Sequence, residues 1–440
     1  MNTLFTRIAL KTYRGIGLVA YPFMGPFLRI RASRGKEDRK RRYERYGYPS
    51  ADKPAGPMIW FHAASVGESM AIIPLIEHVN ALGINTIITT GTVTSAQIVR
   101  KRLPAGSFHQ YVPLDLKPAL ERFLDHWKPD AAIFTESEIW PMTLLELANR
   151  KIPRILVNAR MSDRSYKRWK NASGLAESLF DNFSHVIAQS KLDADRFSDL
   201  GARPVDISGN LKVDTGGLPY DEMELARISR RINGRPCWVA ASTHEGEEEA
   251  IGKIHLMLKQ KIPNLLTMIV PRHPDRSPGL VALLRENGLR VAQRSQNETL
   301  DADTDIYMGD TMGEMGLYLH LAQVAFVGKS LKAQGGQNPL EPAMTGTPII
   351  SGQAVQNFRD AYTSLLEAGA VRLVSDEQML AANLEFLLKN PAEREKMAAN
   401  AHKTLEEMRG SLKKTLHILD SYFFPLTIKR DLESLNNGTG

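Results

Sequence analysis

The sequence predicts an α/β protein built from two parallel-sheet domains, and three observations lead there. A chain of 440 residues exceeds what one ordinary core serves, so two or three domains are expected. Short β-branched runs alternate with helical patterns, as in a parallel sheet covered by helices on both faces. The alternation breaks once, at DTGGLPYDE (214–222), where two glycines and a proline fall together, and then resumes.

In the first set, MIWFHA, TIITT, AAIFT, RILVNA and HVIAQ read as buried strands. Helical patterns at 67–82, 94–103, 116–126, 140–149 and 190–200 separate them. In the second set the strands are CWVAAS, LLTMIV, LRVAQ, VAFVG, TPIIS and VRLV. The expected organisation is a basic arm at 1–46, a first domain at 47–218, a second at 219–425 and a tail at 426–440. Open parallel sheets bind ligands beyond the carboxyl ends of their strands. The unusual polar segments fall there: HAASVGE, TGTVTS, TESEIWP, NARMS and GNLKVD in the first half, ASTHEGEE, PRHPDR, DTMGE and GGQNPLEPA in the second. Two such halves predict a central cleft, the arrangement suited to joining two substrates.

The charge is uneven. Residues 1–50 carry twelve Lys/Arg against three acids, a net +9, while the whole chain is +7. The basic balance therefore belongs to the arm, which argues against nucleic acid, whose binders carry charge on a folded face. Between Arg14 and Arg29 lie fourteen uncharged residues, fewer than the roughly 20 needed to cross a bilayer core, and Pro22 and Pro26 interrupt them. A cleaved signal peptide is not expected, because the flank is basic and no small-residue cleavage pattern follows. The segment reads as interfacial, with Tyr13, Tyr21, Phe23 and Phe27 at headgroup depth and the cluster Arg29–Arg45 against anionic lipid. The single cysteine, Cys237, excludes an internal disulfide and a thiolate-rich zinc site.

Common motifs fail. GKS at 328–330 lacks the earlier glycine of a P-loop, no GxGxxG follows the first strand and no HExxH occurs. The acids of DADTD (301–305) read as a solvated loop. In HAASVGE, Gly67 is expected to permit a tight turn into a helix, with Glu68 in its first turn. A carboxylate there can accept a proton from an attacking hydroxyl, and can equally be a helix-start acid favoured by the dipole. TESEIWP adds Glu136 and Glu138, and acids from separate loops suit developing positive charge. Lys212 can offset negative charge or be an ordinary surface lysine. In the second half, DTMGE and GGQNPLEPA are expected to open helices whose free N–H groups bind phosphate. Gly335 and Gly336 would allow close approach, with Pro339 at the first helical position. Arg272, His273 and Glu341 are candidate contacts to a nucleotide.

Eight of these segments, in order and at similar spacing over about residues 58–360, resemble the 3-deoxy-D-manno-octulosonic acid (Kdo) transferases. The resemblance implies a GT-B fold and inverting, metal-independent transfer of Kdo from CMP-Kdo to a lipid A precursor, with no cofactor. It also implies an N-terminally anchored enzyme on the cytoplasmic face of the bacterial inner membrane. By motif, Glu68 would be the general base, and Glu138 and Lys212 would stabilise the transition state. Pro271, Arg272, Met312, Gly313, Glu314, Asn338, Pro339, Leu340 and Glu341 would bind CMP. The chain departs from the family's GGHN at Gly336-Gln337-Asn338 and from its GGS at Gly328-Lys329-Ser330. Two rival readings are a GT-B transferase using a UDP-sugar on another membrane lipid, and a non-catalytic nucleotide-sugar-binding membrane scaffold.

Overall fold

Strand β1 (Met58–Ala63) is buried along its whole length, as a strand covered on both faces must be. Its alternating side chains feed two cores. Ile59, Phe61 and Ala63 join one, and Met58 and Trp60 join the other. In the computed structural model, which describes residues 12–437 apart from 14, 16, 18, 20 and 34 (backbone only at 436 and 437), this strand is central to a seven-stranded sheet. The others are β2 (Asn85–Thr90), β3 (Ser107–Tyr111), β4 (Ala131–Thr135), β5 (Arg154–Ala159), β6 (His185–Ala188) and β7 (Val205–Ile207). All pair in parallel, in the order β3-β2-β1-β4-β5-β6-β7. The order reverses between β1 and β4, and it is outside the carboxyl ends at such a reversal that open parallel sheets bind ligands.

A second parallel sheet follows: β8 (Cys237–Thr243), β9 (Leu266–Pro271), β10 (Val291–Gln293), β11 (Ile306–Met308), β12 (Ala325–Val327), β13 (Ile349–Gly352) and β14 (Val371–Val374). Its order is β10-β11-β9-β8-β12-β13-β14, with the reversal between β8 and β12. Strands β3, β7 and β11 escaped the sequence reading because they are short or polar. In β3, SFHQY, the polar groups are spoken for. Gln110 accepts from Trp127 Nε1 at 2.8 Å and His109 Nε2 lies 2.9 Å from Thr90 Oγ1.

The chain divides differently from the expected 47–218 and 219–425. One unit comprises Met1–Thr215 with Arg409–Gly440, the other Gly216–Met408. The returning segment forms the helix Ser411–Asn437, whose Leu419 and Phe423 are buried in the first unit's core. The Asp214 carboxylate fixes the return by accepting from the backbone N–H of Gly410 at 3.0 Å and Leu412 at 2.6 Å. Residues 409–425 thus belong with the first unit, not the second, because their apolar face completes its core.

The arm also differs from expectation. Arg31, Arg41 and Arg45 do not form a lipid-facing cluster. Arg45, 8% exposed, pairs with Glu37 and donates to the carbonyls of Val112 and Gly91 at 3.0 and 2.8 Å. Arg41 pairs with Glu44 and donates to the His109 carbonyl, and buried Glu44 accepts from Tyr111 N–H at 2.7 Å. Arg31 pairs with Glu37. These charges dress the edge of the sheet at β3. Arg29, Arg39 and Lys40 are exposed, and Arg7, Lys11, Arg14 and Arg34 lie outside the described residues. No helix among the described residues is long and apolar enough to cross a membrane.

Candidate active site

The first unit's site grows from the β1–helix junction. Ser65 caps the helix Val66–Ala81, its hydroxyl oxygen accepting from Glu68 N–H at 3.3 Å. Glu68 answers: Oε1 accepts from Ser65 Oγ at 2.6 Å and Oε2 from Ala64 N–H at 2.9 Å, with Thr135 Oγ1 3.2 Å away. This is a capping box drawn back by one residue, so Glu68 serves the helix start as well as facing the site. Gly67 lies within the helix at an ordinary backbone angle, not in the expected tight turn. A Cβ there would make only ordinary contact with Lys212, 3.7 Å from its Nζ.

Burial lifts the Glu68 carboxyl above the usual carboxylate range. The neighbouring charges of Glu136 and Glu138 add to the shift, against Ser65 and Lys212. A base moved toward neutrality is better matched to proton transfer at working pH than an ordinary carboxylate.

The loop after β4 carries the other two acids. Glu136 is 8% exposed and holds a left-handed φ of 51°. Lys212 Nζ donates to its Oε1 at 2.5 Å. Burial opposes the Glu136 charge, but Lys212 and Arg160 outweigh it and hold the group below its ordinary range. Lys212 is therefore neither a plain surface lysine nor the partner of Glu138. Glu138 Oε2 instead accepts from Trp140 Nε1 at 2.8 Å and lies 3.2 Å from His62 Nε2. Lys212 is itself positioned from below: Asn210 Oδ1 takes its N–H, and Asn158 Oδ1 takes that of Leu211.

In the second unit, Glu247 is fully buried and accepts four backbone N–H groups, from His244 at 2.9 Å, Lys329 at 2.8 Å, Ser330 at 3.0 Å and Leu331 at 3.1 Å. It ties the loop after β8 to the loop after β12, the two strands at the switch point. Ser242, near the end of β8, and Lys329, just after β12, also take left-handed φ of 55° and 59°. With Glu136 and Asn158 (φ 52°), four non-glycine residues are held in this sparse region at strand carboxyl ends. Such strain concentrates at functional sites.

A cavity of about 40 Å³ lies among these loops, lined by Ser242, Arg272, Gln337, Asn338, Glu341 and neighbouring apolar groups. The expected CMP residues divide. Arg272, Asn338 and Glu341 meet at this cavity. Asn338 Nδ2 donates to Glu341 Oε1 at 3.3 Å, its Oδ1 takes the Leu340 N–H, and buried Leu340 packs inward. Pro271 closes β9 and is buried. Pro339 caps the five-residue helix Leu340–Met344 instead of occupying its first position. Met312 is exposed and Gly313 takes φ 86°. Glu314 precedes the helix Met315–Leu321 and is gripped by Arg294 through contacts of 2.7 and 3.1 Å, with Thr311 bonded beside it. Burial opposes its charge, but Arg294 and the Thr311 hydrogen bond outweigh it and hold the carboxyl below the ordinary range. Gly335 and Gly336 are explained by packing rather than ligand approach. Cβ atoms there would fall 2.5 Å from Asn357 Nδ2 and 2.8 Å from the Ala354 carbonyl.

The DADTD acids turn to separate partners: Asp301 to Thr304, Asp303 to Arg290, and Asp305 to Lys259 and the Arg290 N–H. Among the described residues no group of His, Cys, Asp and Glu has metal-site geometry. Sequence reasoning missed His62, the Glu136–Lys212 pair and Glu247. Only Glu247 left a trace, three consecutive acids after Gly246.

A family model described as 3-Deoxy-D-manno-octulosonic-acid transferase (kdotransferase) matches residues 40–215. The 3-deoxy-D-manno-octulosonic acid transferase of Haemophilus influenzae is 35% identical over 419 residues, 93% of this chain and 98% of the relative. That of Rickettsia bellii is 34% identical over 419 residues, 94% of this chain and 100% of the relative. Among solved structures, a glycosyltransferase from Rickettsia africae superposes with a TM-score of 0.56 at 12% identity, covering 84% of this chain and 99% of its own. At that identity the likeness concerns the fold, two parallel sheets of GT-B type.

Proposed function

Because the chain belongs to the 3-deoxy-D-manno-octulosonic acid transferase family, we propose that it moves Kdo from CMP-Kdo to a lipid A precursor, with inversion, in lipopolysaccharide core biosynthesis. The protein is a glycosyltransferase, and its substrates are a nucleotide-sugar donor and a glycolipid acceptor. The observation that carries the finer reading is the convergence of Glu68, Glu136, Glu138 and Lys212 at the β1/β4 switch point.

Glu68 takes the proton from the acceptor hydroxyl as that oxygen attacks the Kdo anomeric carbon. The bond from that carbon to the CMP phosphate oxygen breaks, CMP departs with the electron pair, and the proton rests on Glu68. Oε1 of Glu68 accepts one hydrogen bond, from Ser65, and retains a lone pair for this step. The Glu138 carboxylate stabilises the positive charge that grows on the sugar ring, and Lys212 offsets negative charge on substrate or leaving group. In the second unit, Arg272 and Glu341 hold CMP, supported by Asn338, with Pro271, Met312, Gly313, Glu314, Pro339 and Leu340 shaping the surrounding loops.

Exposed Val19, Phe23, Phe27 and Ile30 support attachment of the arm to a lipid surface, on the cytoplasmic face of the inner membrane where the acceptor is held. The test is mass spectrometry of a lipid A precursor incubated with the protein and CMP-Kdo. A mass gain of whole Kdo units is expected, and addition of sugar only from a UDP donor would overturn the assignment. The mechanism uses no metal ion, so turnover should persist in EDTA. Full loss restored by magnesium would return attention to the carboxylate groups.

A further inference from the structure

Glu138 is held unevenly. Both contacts to its carboxylate fall on Oε2: Trp140 Nε1 at 2.8 Å and His62 Nε2 at 3.2 Å. Oε1 takes no hydrogen bond from the described residues, and the side chain is 19% exposed. One oxygen is anchored while the other is presented. The anchors differ in kind, because Trp140 is 39% exposed at the rim, whereas His62 is 1% exposed and built into β1.

His62 has its own support. Nδ1 lies 2.9 Å from Thr89 Oγ1 and 3.1 Å from the Thr89 carbonyl. Thr89 Oγ1 already accepts from Trp60 Nε1 at 2.8 Å. Its own proton can go to His62 Nδ1 or to the Phe61 carbonyl, 3.4 Å away, while the Thr89 carbonyl can only accept from Nδ1. The carboxylate beside Nε2 decides which form serves: a ring with its proton on Nε2 donates it to Glu138. The opposite tautomer would set a lone pair against a carboxylate. Thr89 holds the plane of the imidazole through two contacts to Nδ1, so the ring is oriented toward Glu138. The relay Trp60–Thr89–His62–Glu138 is buried until its last member, and in such surroundings a hydrogen bond to a charged group is strong.

We propose that His62 is a positioning residue for the transfer reaction: its Nε2–H, oriented by Thr89, locks Oε2 of Glu138 so that Oε1 faces the reacting sugar. This rests on the reading of Glu138 as a transition-state stabiliser. His62 touches neither substrate and acts only through Glu138.

Two near-isosteric substitutions separate this role from packing. The amide of Gln reaches the place of Nε2, and that of Asn the place of Nδ1. His62→Asn keeps the Thr89 contact and loses Glu138, whereas His62→Gln keeps a donor to Glu138. In the full-length enzyme with CMP-Kdo and a dispersed lipid A precursor, His62→Asn should lower kcat by about 10- to 100-fold, the worth of a hydrogen bond to a charged group. KM for CMP-Kdo should move by less than about threefold, and His62→Gln should recover most of the turnover. The double variant His62→Asn/Glu138→Ala should be no slower than Glu138→Ala alone, because both remove one function. Equal losses in the Asn and Gln variants, accompanied by a lower Tm in both, would reduce His62 to a packing residue. A double variant slower than Glu138→Ala by the full His62→Asn factor would show that His62 acts elsewhere. If Glu138→Ala is slow while His62→Asn is normal, only this inference fails. If Glu138→Ala itself turns over normally, the reading of Glu138 fails first.

Discussion

Glu68 combines two duties that usually pull apart. It closes a capping box, which favours the ionised form through the helix dipole, and it is buried among acids, which disfavours it. The net shift is upward, and its sign fixes a stability prediction. A carboxyl whose folded pKa is raised contributes stability below the unfolded carboxylate range and loses it as pH rises through the folded value. Glu68→Gln should therefore match or exceed the native Tm at pH 8 and compare less well at pH 4, as thermal melts across that range will show. Turnover of the same variant should fall by ~10²–10⁴-fold if Glu68 is the base. CMP affinity should hold, since none of the residues assigned to CMP belongs to its unit. Lys212 carries the opposite risk. Lys212→Met leaves the buried Glu136 carboxylate without its hydrogen-bonded cation, with only Arg160 nearby, and should cost about 3–5 kcal/mol in denaturant unfolding. Adding Glu136→Gln should recover much of that loss. An activity assay on Lys212→Met alone would thus mix a catalytic effect with a folding one. The sequence makes Glu68, Glu136, Glu138 and Lys212 visible as polar residues after strands. Which acid takes the lysine is set by the left-handed turn at Glu136, a backbone angle that a glutamate does not advertise.

At the scale of elements, strands and helices with strong apolar patterns were legible, to within a residue or two at their ends. The helix expected at 94–103 spans Val93–Arg102, and that at 140–149 spans Pro141–Asn149. The polar strand β3 was not legible, because its burial depends on partners far away in the chain: Glu44, Thr90 and Trp127. The loops of the second unit were legible as polar segments at strand carboxyl ends, and several of their residues were misread as devices. Gly335 and Gly336 fit against the 354–357 segment, and Glu314 is occupied by Arg294. The slot proposed for CMP has Arg272 on its lining and Glu341 beside Asn338. At about 40 Å³ it is far below the usual 300–1,000 Å³ of ligand sites, so a nucleoside bound there would sit at its mouth or displace side chains. Arg272→Ala and Glu341→Ala should each weaken CMP binding by ~1.5–3 kcal/mol in calorimetry, the worth of a hydrogen bond to a charged group. Unchanged affinity in both would move the nucleotide elsewhere.

For the whole molecule, the arm cannot be cut where charge alone suggests. A chain beginning at Gly47 lacks Glu37, Arg41, Glu44 and Arg45, the groups that satisfy the edge of the first sheet. It should unfold at lower denaturant than a chain beginning at Gly35, which keeps them. The shorter arm should still reduce vesicle binding, because Val19, Phe23, Phe27 and Ile30 are gone. Equal stability of the two truncated chains would mean that those ion pairs add nothing. The return of the chain was illegible for a different reason. The last helix carries apolar residues at Leu412, Leu416, Leu419 and Phe423, and nothing local records that they pack against strands laid down more than two hundred residues earlier. That return sets a timetable for synthesis. While the ribosome is still making the second unit, the first has emerged but lacks Leu419 and Phe423, two side chains whose burial is worth about 1.5–3 kcal/mol each. The unit made first is thus the one finished last, and until then its apolar floor stays open to chaperones and to misplaced helices.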